Sequence, residues 1–313
     1  MTAVIEIEGL RKEYRRLRGG ACVALDGLDL SVPAGGVFGL LGPNGSGKTT
    51  TIRCLLGLVR PTGGRATLLG AAVPERLPSV IGGVGAIVET PALFPTMTGR
   101  RNLGLLGRLE GRGRQAVDDA LDRVGLAERA DDLVKTYSLG MKQRLGLAAA
   151  LLKDPTLLIL DEPANGLDPA GIREIRLLLR ALAAEGRTVL VSSHQLAEVQ
   201  LTCDAVAIVD RGRTVAAGSV DEVLQLGGAT GLLVRIDDLP RGQTALVEAG
   251  YEVTAAGGHL RVAAPPTAGA DVTRTLAEAG QWVAELRAEE ASLEDLFLDI
   301  TGGPGRQPEE VRA

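Results

Sequence analysis

Two kinds of hydrophobic pattern alternate along the first 225 residues. Short apolar stretches have the length and composition of buried strands, and the clearest are GVFGLLG, TLLIL, TVLVSS and AVAIVD. Between them, apolar positions recur every three or four residues, which predicts helices within 49–58, 98–134, 139–152 and 169–185. Strands that alternate with helices predict a mostly parallel sheet covered on both faces. The fold class predicted from the pattern is therefore α/β.

The pattern changes after about residue 226. Strand-like and helix-like stretches then follow in the order β-α-β-β-α-β, as GLLVRI, RGQTALVEAG, YEVTA, HLRVAA, ADVTRTLAEAG and WVAEL. This order is that of the ferredoxin-like split unit, which we predict as a small α+β accessory domain at residues 230–301. The Gly- and Pro-rich stretch 302–313 is predicted to be a disordered tail.

Charge and cysteine content narrow the classes of protein. The chain has 34 basic and 39 acidic residues, a net charge of −5 and no basic tract, so we expect no nucleic-acid partner. Its cysteines, Cys22, Cys54 and Cys203, have no metal-like spacing, and we interpret them as buried thiols in a reducing compartment. No apolar run approaches the roughly 18 residues that a membrane span needs, and the N-terminus has no signal-peptide pattern. We therefore expect a soluble protein, or one held at a membrane by a partner.

The segment GPNGSGKT lies between an apolar strand and a helix. It fits the pattern G-x-x-x-x-G-K-[ST], in which glycines let backbone N–H groups point at phosphate oxygens. Lys48 supplies a cation for the β- and γ-phosphates, and the hydroxyl of Thr49 is placed for Mg²⁺. The nucleotide-binding residues predicted here are Gly42, Pro43, Asn44, Gly45, Ser46, Gly47, Lys48, Thr49 and Thr50.

The segment LLILDEP places two carboxylates at the carboxyl end of a predicted strand, the edge where parallel α/β sheets bind ligands. We predict that Asp161 holds Mg²⁺ through its hydration shell and that Glu162 takes a proton from an attacking water. His194 follows the strand VLVSS and is predicted to begin a helix, from which it reaches a γ-phosphate. Lys48, Glu162 and His194 are the predicted catalytic residues, whereas His259 is interpreted as structural.

A second candidate anion site lies at the start of a later helix. In YSLGM, Ser138 and Gly140 come just before a long apolar run, and a short polar residue at a helix start favours anion binding. The chain thus has two candidate anion sites, this one and the phosphate-binding loop.

Taken in order, GPNGSGKTT, YSLGMKQR, LLILDEP, NGLDP and SSH resemble the ATPase subunit of an ATP-binding cassette (ABC) transporter over residues 4–225. The resemblance implies a P-loop NTPase domain with a RecA-like core, an antiparallel β subdomain and a helical subdomain. It implies ATP and Mg²⁺ as cofactors, and a second ATPase subunit whose P-loop faces YSLGM. The residues implied at this shared site are Ser138, Leu139, Gly140, Met141 and Asp168. Leu139 stands where the family usually has a second glycine, and Tyr14 falls where the family stacks an aromatic ring on adenine.

One further position departs from the family pattern. Where the family has a glutamine, the stretch AIVETPALFP has Glu89. A glutamate there is similar to ATPases that export bacitracin-like and lantibiotic peptides. An ionised glutamate offers only hydrogen-bond acceptors, so it can keep a metal contact but loses the amide donor. We hypothesise that Glu89 binds the metal and couples metal binding to the permease-contacting segment that follows it. The predicted metal ligands are Thr49, Glu89 and Asp161.

The resemblance favours an ATPase that powers efflux of a peptide antibiotic or other drug. It implies a pair of ATPase subunits, taken as a homodimer, bound to a separate transmembrane permease at the cytoplasmic face of the plasma membrane. ABC-type ATPases of DNA repair are an alternative, but they insert long coiled coils between the two ATP motifs. Translation-associated ABC proteins carry two ATPase units in one chain, and this chain has one. A third alternative, an ATP-binding regulatory subunit, is disfavoured because Lys48, Asp161, Glu162 and His194 are all present.

Overall fold

The computed structural model of the chain describes residues 3–15, 20–89, 91–226, 231–289, 292–294 and 296–297. Its contacts divide the chain into two compact units, Met1–Val220 and Asp221–Ala313. The predicted domain limits, 4–225 and 230–301, remain predictions, and the predicted tail 302–313 lies outside the described residues. No helix of the described part combines the length and the apolar character that crossing a membrane requires.

The first unit contains ten strands and six helices of α type in its described part. In chain order these are β1 (Ala3–Arg15), β2 (Ala21–Pro33), β3 (Gly36–Leu41), α1 (Lys48–Leu55), β4 (Gly63–Leu68), β5 (Ala71–Val73), β6 (Val84–Ile87), α2 (Gly99–Leu109), α3 (Arg114–Arg123), α4 (Leu139–Leu151), β7 (Leu157–Asp161), α5 (Pro169–Ala184), β8 (Thr188–Ser193), α6 (Leu196–Thr202), β9 (Ala205–Asp210) and β10 (Arg213–Ser219). A further helix, α7 (Val220–Gln225), begins at the boundary between the units.

The central sheet has the order β10-β9-β3-β8-β7-β6, and all its neighbours are parallel except β10 and β9. Its middle strands are apolar throughout because both faces are covered, and the four leucine and isoleucine side chains of 157–160 are fully buried. The register pairs Leu41 with Ser193 and Asp161 with Ser192. The carboxyl ends of β3, β7 and β8 therefore lie side by side.

A second sheet, of order β2-β1-β4-β5, is antiparallel. Its inward side chains, such as Ile5 and Leu28, share one buried core with Ile52 and Leu55 of α1. This sheet is the predicted antiparallel subdomain, and its core contact fixes α1 against it.

Helices α2, α3 and α4 pack on one another and form the predicted helical subdomain. The segment before α2 is held by Asn102, whose side chain accepts a hydrogen bond from Phe94 N (2.7 Å) and donates one to Phe94 O (3.1 Å). Pro91 packs so closely on α4 that a Cβ at Gly146 would collide with its ring. The chain after β6 is thus tied to both α2 and α4.

The second unit contains β11 (Leu232–Arg235), α8 (Leu239–Glu248), β12 (Val253–Ala256), β13 (His259–Val262), α9 (Gly269–Glu278) and β14 (Glu285–Ala288). Its antiparallel sheet has the order β12-β13-β11-β14, which is the predicted ferredoxin-like arrangement. Its apolar core is its own and includes Val234, Leu246, Leu260 and Leu276.

Two predicted boundaries are wrong. The last strand of the second unit is not WVAEL but starts at Glu285, because pairing with β11 begins where Glu285 meets Arg235. Trp282 consequently lies before the strand and is 77% exposed. Helix α6 does not begin at His194 either: Gln195 is its N-cap, with an extended backbone and an N–H that donates to Ser193 Oγ (3.0 Å).

Candidate functional site

A pocket of about 510 Å³ opens at the carboxyl edge of the central sheet. It is lined by Tyr14, Cys22, Val23, Ala24, Asn44, Gly45, Gly47, Lys48, Thr49, Thr50, Glu162, Asn165 and His194. Segments from β1, β2, the loop before α1 and the ends of β7 and β8 thus converge on one cavity. The structure brings together the residues predicted from GPNGSGKT, LLILDEP and SSH.

The loop that enters α1 depends on glycine at two positions. Gly42 has φ 153° and Gly47 has φ 117°, a region that side chains strongly disfavour. A Cβ at Gly42 would collide with Val209 O, and one at Gly47 would lie 2.9 Å from Ala24 O. Gly47 is the N-cap of α1 and, as a glycine, supplies no side-chain acceptor to the helix start. The first N–H groups of α1 are therefore suited to phosphate oxygens.

Lys48 is a buried cation inside this loop, with 5% of its side chain exposed. Its Nζ donates to Gly42 O at 2.8 Å and to Pro43 O at 3.3 Å, and lies 3.4 Å from Glu162 Oε1. A buried ammonium favours anionic partners, so the loop fits a polyphosphate both by its charge and by its N–H donors.

Glu162 and Asp161 are positioned by one serine. Ser192 Oγ accepts a hydrogen bond from Glu162 N (2.9 Å) and donates one to Asp161 Oδ1 (2.5 Å). The second oxygen of Glu162 lies 2.8 Å from His194 Nδ1. Glu162 therefore contacts both His194 and Lys48, while Asp161 is buried behind it.

The oxygen atoms near the loop suit a hard cation such as Mg²⁺. They are the hydroxyl of Thr49, which lines the pocket, and the carboxylate of Asp161 at the end of the adjoining strand. In the described ranges, no three Asp, Glu, His or Cys side chains surround a common point. Mg²⁺ here would thus take much of its coordination from phosphate oxygens and water, as it commonly does.

Glu89 lies two residues beyond β6, with a left-handed backbone at φ 62°. Its carboxylate forms an ion pair with the guanidinium of Arg53 on α1, and 61% of its side chain is exposed. The structure therefore places Glu89 beside the helix that follows the phosphate loop.

The residues predicted from YSLGM and NGLDP form a separate group, the α4–α5 patch, made of Ser138, Leu139, Gly140 and Asp168. Ser138 is the N-cap of α4, and its Oγ accepts from Met141 N at 3.2 Å. Asp168 is the N-cap of α5, and its Oδ1 accepts from the N–H of the third residue of that helix at 2.9 Å. The two helix starts adjoin, because the loop before Asp168 packs against both Leu139 and Gly140. The patch is formed by the starts of α4 and α5, whereas the chain's own pocket is lined by β1, β2, the phosphate loop with α1, and the segments that follow β7 and β8.

Five residues at or near the pocket were missed by the sequence reasoning as site residues: Cys22, Val23, Ala24, Asn165 and Ser192. Cys22 is exposed and pairs across the sheet with Tyr14, so the interpretation of three buried thiols is wrong for this one. Strand pairing brings Cys22 to the pocket, and a single sequence gives no signal for that register. Ser192 could have been predicted from the sequence, because a hydroxyl at the end of a strand beside β7 can form a hydrogen bond with Asp161.

The cysteines offer a direct check of this pocket. At about pH 8 we expect a thiol alkylating reagent to modify Cys22 in the native protein, because thiolates react and this thiol is exposed. Burial raises the pKa of Cys203 to about 12 and also raises the pKa of Cys54, so both should react only after unfolding. Mass spectrometry should show that ATP slows labelling of Cys22. Equal rates with and without saturating nucleotide would contradict the placement of Cys22 in the pocket.

Comparison with known proteins gives a consistent result. The family model described as ABC transporter matches residues 25–165. The chain is 36% identical over 312 residues to the bacitracin transport ATP-binding protein BcrA of Enterococcus faecalis, covering 97% of this chain and 98% of that protein. It is 37% identical over 318 residues to the daunorubicin/doxorubicin resistance ATP-binding protein DrrA of Streptomyces peucetius, covering 97% and 94%.

Among solved structures, the fold is similar to cbiO1 from Clostridium perfringens, which is part of the ABC transporter complex cbiONQ. The TM-score is 0.63 and the identity 29%, over 71% of this chain and 91% of that one. The resemblance inferred from the five motifs is confirmed, including the likeness to a bacitracin-transport ATPase. The chain belongs to the ABC transporter family and is one of its ATP-binding ATPase subunits.

Proposed function

We propose that the chain powers the export of a peptide antibiotic or another drug through a separate membrane permease. The observation that carries this proposal is the similarity to BcrA and DrrA over 97% of the chain, which extends beyond the ATPase motifs into the second unit. The glutamate at position 89 also supports the peptide-export branch. The chain would act at the cytoplasmic face of the plasma membrane, held there by its permease.

Two identical chains would form the complete hydrolysis site. In this proposal Tyr14 stacks on the adenine ring of ATP, and residues 42–50 bind its phosphates. Lys12 Nζ lies over the Tyr14 ring, 4.9 Å from its centroid, and helps to fix the orientation of that ring. Ser138 of the second chain would then meet the γ-phosphate, because a serine hydroxyl that accepts one hydrogen bond from Met141 can still donate another.

The reaction begins with an exchange of partners at Lys48. Its ammonium lies beside Glu162 and would turn to the β- and γ-phosphates when ATP enters. Glu162, still oriented by His194 and by the bond from its own N–H to Ser192, would then take a proton from the attacking water. Thr49, Asp161 and Glu89 would hold Mg²⁺, which when bound would supply positive charge to the phosphates. Closure of the pair on ATP and reopening after hydrolysis would drive the permease.

The proposal can be tested by affinity purification of the tagged chain from detergent-solubilised membranes of its own host. We expect an integral membrane protein with several spans to copurify, and we expect ATPase activity of the complex to rise with its transported peptide or drug. Deletion of the permease gene should lower resistance to the same compound as much as Lys48→Ala does. Recovery of ribosomes or DNA without a membrane protein would contradict an export function.

A further inference from the structure

The ion pair between Arg53 and Glu89 joins two parts of the molecule that the sequence separates widely. Arg53 belongs to α1, the helix that starts at the phosphate loop, and Glu89 follows β6. The pair is partly open to solvent, with 35% of the arginine and 61% of the glutamate side chain exposed. The carboxylate is therefore held by a partner that water and ions can also reach.

Arg53 lies on the same face of α1 as the predicted metal ligand Thr49. The two are four residues apart, so their Cβ atoms are about 6 Å from each other, one turn along the helix. Thr49 lines the nucleotide pocket, and Arg53 lies one turn further along α1. Arg53, the partner of Glu89 in this structure, is thus one helical turn from Thr49, the predicted metal ligand on the same helix.

The backbone of Glu89 supports the same view. A glutamate at φ 62° is in the left-handed region, which residues other than glycine adopt only when their surroundings impose it. The side chain of Glu89 forms its ion pair with Arg53. The left-handed backbone and the ion pair with Arg53 therefore occur at the same residue.

We propose that Arg53 is a positioning residue that competes with the metal ion for the carboxylate of Glu89. This inference rests on the proposed role of Glu89 as a metal contact. With Arg53 as partner, the carboxylate of Glu89 is held at a position one helical turn along α1 from Thr49. When Glu89 takes part in holding the metal, its carboxylate would exchange Arg53 for the metal ion and leave the guanidinium to solvent. The strength of the ion pair sets the free Mg²⁺ concentration at which this exchange occurs.

The test measures nucleotide affinity rather than turnover. A fluorescent, nonhydrolysable ATP analogue is titrated into the full chain at a series of free Mg²⁺ concentrations, which gives the Mg²⁺ concentration for half-maximal affinity. For Arg53→Met we expect this value to fall about two- to fivefold, the range expected for loss of an exposed ion pair. Arg53→Lys keeps the charge but not the planar fork, and should give an intermediate value.

The matched control is Arg65→Met. Arg65 forms an ion pair with Glu8 between β1 and β4, and this pair is also exposed. It is on the antiparallel sheet and involves no predicted metal ligand. Its loss should leave the half-maximal Mg²⁺ concentration unchanged, so that a shift in Arg53→Met cannot be a general effect of removing an arginine.

A double variant separates this inference from the function on which it rests. Arg53→Met should have no effect on the Mg²⁺ dependence in a Glu89→Gln background, because the competing carboxylate is gone. If the shift persists there, or if Arg53→Met and Arg53→Lys both match the wild type while Glu89→Gln does not, the competition is overturned and the metal contact stands. If Glu89→Gln and Glu89→Ala both match the wild type at every Mg²⁺ concentration, the metal contact itself is wrong.

Discussion

Glu162→Gln is expected to bind ATP normally and to hydrolyse it roughly 10²–10⁴ times more slowly than the wild type. The substitution keeps the size of the side chain and an acceptor for His194, but removes the group that takes the proton. It also removes the ion pair with Lys48, so ATP binding should be no weaker than in the wild type. Single-turnover hydrolysis by the purified variant measures the effect, and size-exclusion chromatography with ATP should show a trapped pair of chains.

The control for this experiment is Glu185→Gln, at the end of α5. Glu185 is paired with Arg123 on the surface, far along its helix from the α4–α5 patch, and the variant should turn over ATP like the wild type. Turnover of Glu162→Gln within a factor of about three of the wild type would remove Glu162 from the role of general base.

Gly140→Asp is expected to abolish ATP-dependent pairing while each single chain still binds ATP. Gly140 lies at the start of α4, which in the proposed pair contributes to the nucleotide site of the other chain. A carboxylate there would face the γ-phosphate bound to that other chain. The structure has room for a Cβ at Gly140, which would lie 3.7 Å from Leu167 Cδ2 and 4.0 Å from Ser138 Oγ, both ordinary contacts. Retained ATP binding by the single chain shows that the variant is folded. Sedimentation velocity with ATP, in the Glu162→Gln background that traps pairs, measures the outcome.

Gly140→Asn is the matched control, because asparagine has the shape of aspartate without its charge. It should pair substantially better than Gly140→Asp. A mixture of Gly140→Asp with Lys48→Ala can form a pair with at most one complete site, so it should recover part of the hydrolysis. If Gly140→Asp hydrolyses ATP at the wild-type rate even at low protein concentration, each chain acts alone and the shared site is wrong.

The sequence was most informative where chemistry and chain connectivity coincide. A phosphate loop must join a strand to a helix, and its glycines, Lys48 and Thr49 are adjacent in sequence, so local pattern alone predicts most of that part of the pocket. Asp161 and Glu162 were predictable because buried parallel strands end at a common edge. The order of the six elements in the second unit was predictable for a similar reason, since hydrophobic period distinguishes its strands from its helices.

What the sequence did not predict depends on register and on long-range partners. Cys22 reaches the pocket only because it is paired with Tyr14 across two strands, and Glu89 meets Arg53 across 36 positions of sequence. Such contacts are decided by tertiary packing, which a single sequence does not encode in its local pattern.

The close contact of Pro91 with α4 has a mechanical consequence. Because the Pro91 ring already occupies the space that a Cβ at Gly146 would need, Pro91 cannot move closer to α4 without displacing the helix. The same helix begins at Ser138, which in the proposed pair of chains touches the other chain's nucleotide. A displacement that starts at one ATP would thus change the contact between α4 and the second ATP. By thermodynamic linkage, the second ATP would influence the first by the same free energy. Hydrolysis at the two ATP sites would then be coupled. A bulkier residue at position 146 would weaken this coupling.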